Sequence, residues 1–139
     1  MIIMSVDLGK ARTGIAVCDK NESFAFPNTV ITEYNTEKLV DKVALLSHQL
    51  NAELIVVGYP KNMDGSIGER AKECQEIGKK IGIKAEKEII MWDERCTTVS
   101  AHTALNYTDT KGKKRKNVVD AVAAVIILED YLKYRKNQK

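Results

Sequence analysis

Apolar and polar positions change their period along the chain, and each change marks an element. Ile2 to Asp7 is an apolar run closed by a carboxylate, and Gly14 to Cys18 is a second run across a glycine-containing turn. Together they predict a hairpin. Asp19-Lys20-Asn21-Glu22 has turn chemistry, and Phe24 to Thr32 reads as a third strand in which Pro27 marks a break or an edge. Beyond Asn35-Thr36 the period lengthens. Leu39, Val43, Leu46 and Leu50 fall at helical spacing, with Glu37, Lys38, Asp41 and Lys42 on the opposite side.

Leu54-Ile55-Val56-Val57 is a short continuous apolar run ended by Gly58 and Pro60, the pattern of a strand buried on both faces among parallel neighbours. The Tyr59 to Ser66 loop leads to a second helix whose stripe is Ile67, Ala71, Cys74, Ile77 and Ile81. Another buried strand is predicted near Glu88 to Trp92, followed by Asp93-Glu94-Arg95-Cys96-Thr97-Thr98 and a short helix over Val99 to Leu105. Val118 to Tyr131 is apolar on most sides and predicts a last helix docked deep on the sheet. The order βββαβαβα belongs to the α/β class: a mixed five-stranded sheet with helices on both faces. No repeat or linker divides residues 1–139, so a single domain is expected.

Composition narrows the class without naming a chemistry. With 44% hydrophobic and 29% charged residues, the chain is that of an ordinary globular domain. The start meets Asp7 after six residues and carries no basic flank, which predicts neither a signal peptide nor a membrane span and a cytoplasmic location. Cys18, Cys74 and Cys96 are widely separated and never form a C-x-x-C pair, so reduced, mostly packed thiols are expected. A net charge of +3 does not by itself demand nucleic acid. Its distribution is more telling, because the Lys111 to Lys116 run and the Lys133 to Lys139 tail concentrate positive charge late in the chain. The run is read as a basic loop.

Three acidic positions recur at element ends: Asp7, the pair Asp93-Glu94, and Asp120 near the start of the last helix. A carboxylate buried there needs a cation, hydrogen bonds or water. If the acids converge they form a hard oxygen site suited to Mg²⁺ or Mn²⁺ rather than zinc. Two such ions, roughly 3.5–4 Å apart, support phosphodiester hydrolysis. Each acid also has a plainer use. Asp7 can cap its turn, Asp93 can pair with Arg95, and Asp120 can stand at N3 of a helix capped by Asn117. Thr97 and Thr98 can cap the next helix or grip a phosphate. His48 and His102 have no metal-binding spacing and are assigned structural roles. Tyr59, Trp92, Tyr107, Tyr131 and Tyr134 fit core or rim packing better than base stacking.

Four segments occur in an order that resembles the YqgF (RuvX) family: Val6-Asp7-Leu8-Gly9 through Arg12-Thr13-Gly14-Ile15-Ala16-Val17, Val57 to Gly65, Asp93 to Thr98, and Lys116 to Ala124. The resemblance implies an RNase H-like fold related to the Holliday junction resolvase RuvC. It implies a nuclease maturing the 5′ end of pre-16S rRNA, or a resolvase of branched DNA in recombination and repair. Its acidic site falls on Asp7, Glu94 and Asp120 as catalytic and metal-ligating residues, with Asp93 the alternative to Glu94. Adjacent residues leaving a strand point opposite ways; analogy to the resolvase favours Glu94. Lys10, Arg12, Asn62, Arg95, Thr97, Thr98, Lys113, Lys114, Arg115 and Lys116 are then the expected nucleic-acid contacts. Ala11, Cys18 and Cys96 depart from the family pattern, and none is a carboxylate position.

Three classes compete at this level. A phosphodiester-cleaving hydrolase of the two-metal type, acting on structured RNA or branched DNA as monomer or homodimer, uses every motif. The D-L-G-x-x-x-x-G pattern also resembles the phosphate loop of actin-like ATPases and sugar kinases, but those close two such domains around a nucleotide. A non-catalytic rRNA-binding module would leave the acids without a purpose.

Overall fold

The computed structural model describes residues 1–9, 12–59, 68–93 and 112–137, with residues 112–121 as backbone. Its elements are β1 (Ile3–Leu8), β2 (Arg12–Cys18), β3 (Ala25–Thr32), α1 (Thr36–Gln49), β4 (Leu54–Tyr59), α2 (Glu69–Ala85), β5 (Glu88–Asp93) and α3 (Gly112–Asn137). Among the described residues the strands form one five-stranded sheet in the order β3-β2-β1-β4-β5. β1 and β2, and β2 and β3, pair antiparallel, whereas β4 is parallel to both β1 and β5. The mixed sheet and the order βββαβαβα agree with the hydrophobic pattern.

Alternation along the strands splits the core into two layers. Met4, Val6, Leu8, Ile15, Ile55 and Val57 face α1 and α2. Ile3, Ala16, Cys18, Leu54 and Val56 face Ala124, Ile127, Leu128 and Tyr131 of α3. The sheet is therefore covered by helices on both sides, and β4 is buried along its whole length. Pro27 lies on β3, an edge strand, and the register with β2 shifts between Ile15 and Ala16, as a proline that cannot donate a ladder bond requires.

Local signals fix the helices. The Asn35 side chain accepts a hydrogen bond from the Lys38 backbone N–H at 3.0 Å and starts α1. At its far end the Lys87 ammonium donates to the carbonyls of Ser47 and Ala52, holding the exit from α1. In α2, a Cβ at Gly82 would stand 2.6 Å from Ile89 Cγ1, so the helix lies close on β5 only because that position has no side chain.

The last helix differs from its expected bounds. It begins at Gly112 rather than Val118 and continues to Asn137. Lys and Arg are good helix formers, so the helix propagates back from its docked apolar half through the basic run. Lys113, Lys114, Arg115 and Lys116 thus belong to a helix and not to a loop. Asn117 does not cap it, and Asp120 lies in its interior rather than at N3. The predicted helix over Val99 to Leu105 falls outside the described residues.

Candidate nuclease site

Asp7 lies on the central strand and forms the last paired position between β1 and β4. Its partner on β2 is Gly14 and its partner on β4 is Gly58. Residues paired across strands project from the same face, so the rank reads Val30, Gly14, Asp7, Gly58, Trp92. Both cross-strand neighbours of Asp7 are thus glycines. A half-exposed acid on a rigid strand, with no cross-strand side chain crowding it, can accept a phosphate-bearing ligand.

The turn after Asp7 depends on a close approach. A Cβ at Gly9 would collide with the Arg12 carbonyl oxygen, so glycine alone fits there. Arg12 then opens β2 with the parity of Gly14, on the face of Asp7.

α3 reaches the same face. The Ser5 hydroxyl, 0% exposed, donates to the Ala124 carbonyl at 2.6 Å. Asp7 lies two residues further along β1 on that face. The Arg135 end of α3 meets Glu22, whose other carboxylate oxygen accepts from the Met1 amine near the start of β1. α3 therefore runs opposite to β1, and position 120, one turn before Ala124, falls towards the Asp7 end. Backbone register brings positions 7 and 120 to one end of one sheet face.

Asp93 ends β5 and pairs with Tyr59, whereas Trp92 pairs with Gly58. By alternation Asp93 takes the parity of Met91, which packs with the α1 and α2 layer, and Trp92 that of Asp7. Glu94, the next residue of Trp92 parity, lies outside the described residues. So do Lys10, Asn62, Arg95, Thr97 and Thr98. Lys113, Lys114, Arg115 and Lys116 occupy the first turns of α3, where no acidic residue offsets the helix dipole. Among the described residues no group of three or more His, Cys, Asp or Glu side chains stands ready to hold a metal ion. The hard carboxylate oxygen of Asp7 suits Mg²⁺ or Mn²⁺.

One supporting residue gave no signal in the sequence. Arg70, on the first turn of α2, donates from Nη2 to the Leu8 carbonyl at 2.6 Å and from Nη1 to Glu73 at 2.8 Å. Since the β1–β4 register ends at Asp7, the guanidinium takes the place of the missing next rung. It anchors the strand immediately beyond the candidate acid.

These features can be set beside known proteins. The family model for RuvX, Holliday junction resolvase, matches residues 1–134. The chain belongs to the RuvX family. A relative from Clostridium botulinum (strain Eklund 17B / Type B), named "Putative pre-16S rRNA nuclease", is 39% identical over 132 residues, covering 95% of this chain and 96% of its own length. RuvC of T. thermophilus in complex with Holliday junction substrate superposes with a TM-score of 0.64 at 12% identity, over 99% of this chain and 96% of that one. At that identity the likeness concerns the fold, which is RNase H-like as expected. The ROK hexokinase of Thermus thermophilus aligns with a TM-score of 0.50 at 15% identity, over 79% of this chain but 38% of the kinase. No helix among the described residues is long and apolar enough to cross a membrane.

Proposed function

We propose that this RuvX-family chain is a phosphodiester hydrolase that processes the 5′ end of pre-16S rRNA, acting as a metal-dependent endonuclease in the cytoplasm. The observation that carries the reading is the placement of Asp7 between Gly14 and Gly58 on the central strand, at the end of the face that position 120 of α3 approaches. The match to relatives bearing that name over nearly their whole length supports the substrate.

Asp7, Glu94 and Asp120 are the residues assigned to hold divalent cations, Mg²⁺ or Mn²⁺, with Asp93 the alternative to Glu94. Bound there, two such ions supply an activated water and neutralise charge on the phosphodiester. The chain itself does the positioning. Arg12 lies on the face of Asp7 to meet a phosphate, and Lys113 to Lys116 gather backbone charge at the start of α3 without reading sequence. Lys10, Asn62, Arg95, Thr97 and Thr98 complete the assigned contacts.

Resolution of a four-way DNA junction is the second reading, favoured by the family description and by the fold shared with a junction-bound resolvase. It calls for a dimer that opposes two sites, whereas rRNA trimming suits a monomer. The test is cleavage of a labelled precursor rRNA 5′ segment and of a four-way junction with Mg²⁺ or Mn²⁺, comparing wild type with Asp7→Asn and Asp120→Asn. Metal-dependent cutting lost in both variants is expected, and the preferred substrate chooses the role. Folded variants that cut normally would remove these acids from the mechanism, and binding without cutting would leave an rRNA-binding module.

A further inference from the structure

Trp92 and α3 enclose a cleft whose aromatic and α3 side the nuclease reading leaves without a role. Trp92 stands on the rank of Asp7, two strands away, with Gly58 between them. Its ring centroid lies 5.5 Å from those of both Tyr131 and Tyr134, and Tyr134 is 48% exposed. A cleft of about 500 Å³ opens beside these rings, lined by Trp92, Asp93, Asp130, Lys133, Tyr134 and Asn137. Asp130, Tyr134 and Asn137 recur at i, i+4 and i+7 and so share one stripe of the helix. Among the described residues no hydrogen bond or ion pair holds the Asp130 carboxylate. Burial raises its pKa above the ordinary range, against the opposing pull of Lys133.

Aromatic faces beside a carboxylate that only accepts hydrogen bonds select their occupant by its donors. Adenine and cytosine present one amino donor next to a ring acceptor, and uracil flanks its single N–H with two carbonyls. Guanine alone places two donors, N1–H and the N2 amino group, side by side on its Watson–Crick edge, at the spacing of two carboxylate oxygens. An arginine side chain has similar donors and also stacks; the base is chosen over it because the chain is read above as acting on nucleic acid, and an arginine-containing peptide is carried in the test.

We propose that this cleft holds one unpaired guanine of the substrate, stacked on the surface formed by half-buried Trp92 and exposed Tyr134, with its Watson–Crick edge donating to Asp130. The assignment rests on the nucleic-acid reading above. Trp92 shares the sheet face of Asp7, and Lys133 and Asn137 stand at the rim for the sugar and phosphate of the base. Cleavage would then favour sites with a single-stranded guanine nearby, a preference that backbone contacts cannot supply.

Trp92 is the single tryptophan of the chain, so its emission reports the cleft directly. Wild type, Asp130→Asn and Tyr134→Ala would be titrated with the pentaribonucleotides UUGUU, UUAUU, UUCUU and UUUUU in EDTA, and with an arginine-containing pentapeptide. Circular dichroism would confirm each fold. Expected is quenching by UUGUU with a Kd about tenfold or more below the other RNAs, in the range a bidentate base contact provides. The preference should vanish in Asp130→Asn, and quenching itself should weaken in Tyr134→Ala. Equal affinity for all four RNAs, an unchanged preference in Asp130→Asn, or quenching by the peptide alone would overturn the assignment. Asp7→Asn separates the two readings. Guanine preference without any cleavage by wild type would refute the nuclease and keep the cleft, while Asp7-dependent cleavage without guanine preference would do the reverse.

Discussion

Arg70 and Leu8 meet through a 2.6 Å hydrogen bond from the guanidinium Nη2 to the main-chain carbonyl, one residue beyond Asp7. The bond joins α2 to the central strand at the point where β4 stops pairing with it. Without it the carbonyl would have to find water, and the strand end would gain freedom. Arg70→Met is therefore expected to leave the fold intact at a cost of about 1–2 kcal/mol. Cleavage should fall about tenfold or more, because a small displacement of a catalytic group is costly. A metal titration of activity discriminates this from general destabilisation: the half-saturating Mn²⁺ concentration should rise in Arg70→Met and recover in part in Arg70→Lys. An unchanged metal requirement would make Arg70 a stability residue only.

Much of this site was legible because strand period and side-chain parity are local properties. The apolar run ending in Asp7, the edge position of Pro27 and the buried strand Leu54 to Val57 all follow from spacing within a few residues. Arg70 was illegible for the opposite reason. Its partner is a main-chain carbonyl 62 residues away, and a backbone atom leaves no trace in composition. The start of α3 was misread because Asn117 and Asp120 imitate a capping box, a motif that competes with the helix propensity of the preceding Lys and Arg. Docking of Ala124, Ile127 and Leu128 on the sheet supplies tertiary stability that a local motif does not register.

Gly9 tests the turn that follows Asp7. A methyl group there would collide with the Arg12 carbonyl, and backbone rather than a flexible side chain must move. Gly9→Ala is expected to cost about 1–3 kcal/mol, the range for overpacking. Displacement of Arg12 should also weaken binding of a labelled RNA segment. Chemical denaturation checks the first effect and a binding titration at fixed salt checks the second. A variant as stable as wild type would mean that the turn has an alternative course open to it.

The C-terminal part of α3 carries a pH-dependent tether. Arg135 donates from Nε to Glu22 Oε1 at 2.7 Å and from Nη2 to Oε2 at 3.3 Å, with the two side chains 25% and 17% exposed. The Arg135 hydrogen bond is the largest of the influences holding the Glu22 pKa below its ordinary value. A depressed carboxylate pKa stabilises the fold above the unfolded-state value, and that contribution disappears as pH falls through the folded-state value. The window therefore lies at and below the usual glutamate range, near pH 4. Arg135→Met should lose about 1 kcal/mol at pH 7 and show a smaller further loss on acidification than wild type. Urea midpoints at pH 7 and pH 3 measure both. Parallel acid profiles for the two proteins would show that the tether does not set acid stability.

Because Lys113, Lys114, Arg115 and Lys116 belong to the first turns of a helix, their backbone positions are fixed relative to position 120 on the same element. A flexible basic loop would adapt to many phosphate positions, whereas a helical array fixes how its backbone charges are spaced. Positive side chains also oppose the dipole at a helix start, so phosphates bound there relieve a repulsion that exists in the free protein. Changing Lys113, Lys114 and Arg115 to Ala should accordingly raise stability slightly while weakening RNA binding. Each lost phosphate contact lowers the slope of log K against log salt by about 0.7 on a single strand and about 0.9 on a duplex. A triple variant that loses three contacts should flatten the slope by about two to three units. Thermal midpoints and binding between 50 and 200 mM salt, taken on the same preparation, read both changes. An unaltered slope would place the run outside the nucleic-acid contact surface, even if the stability gain is found.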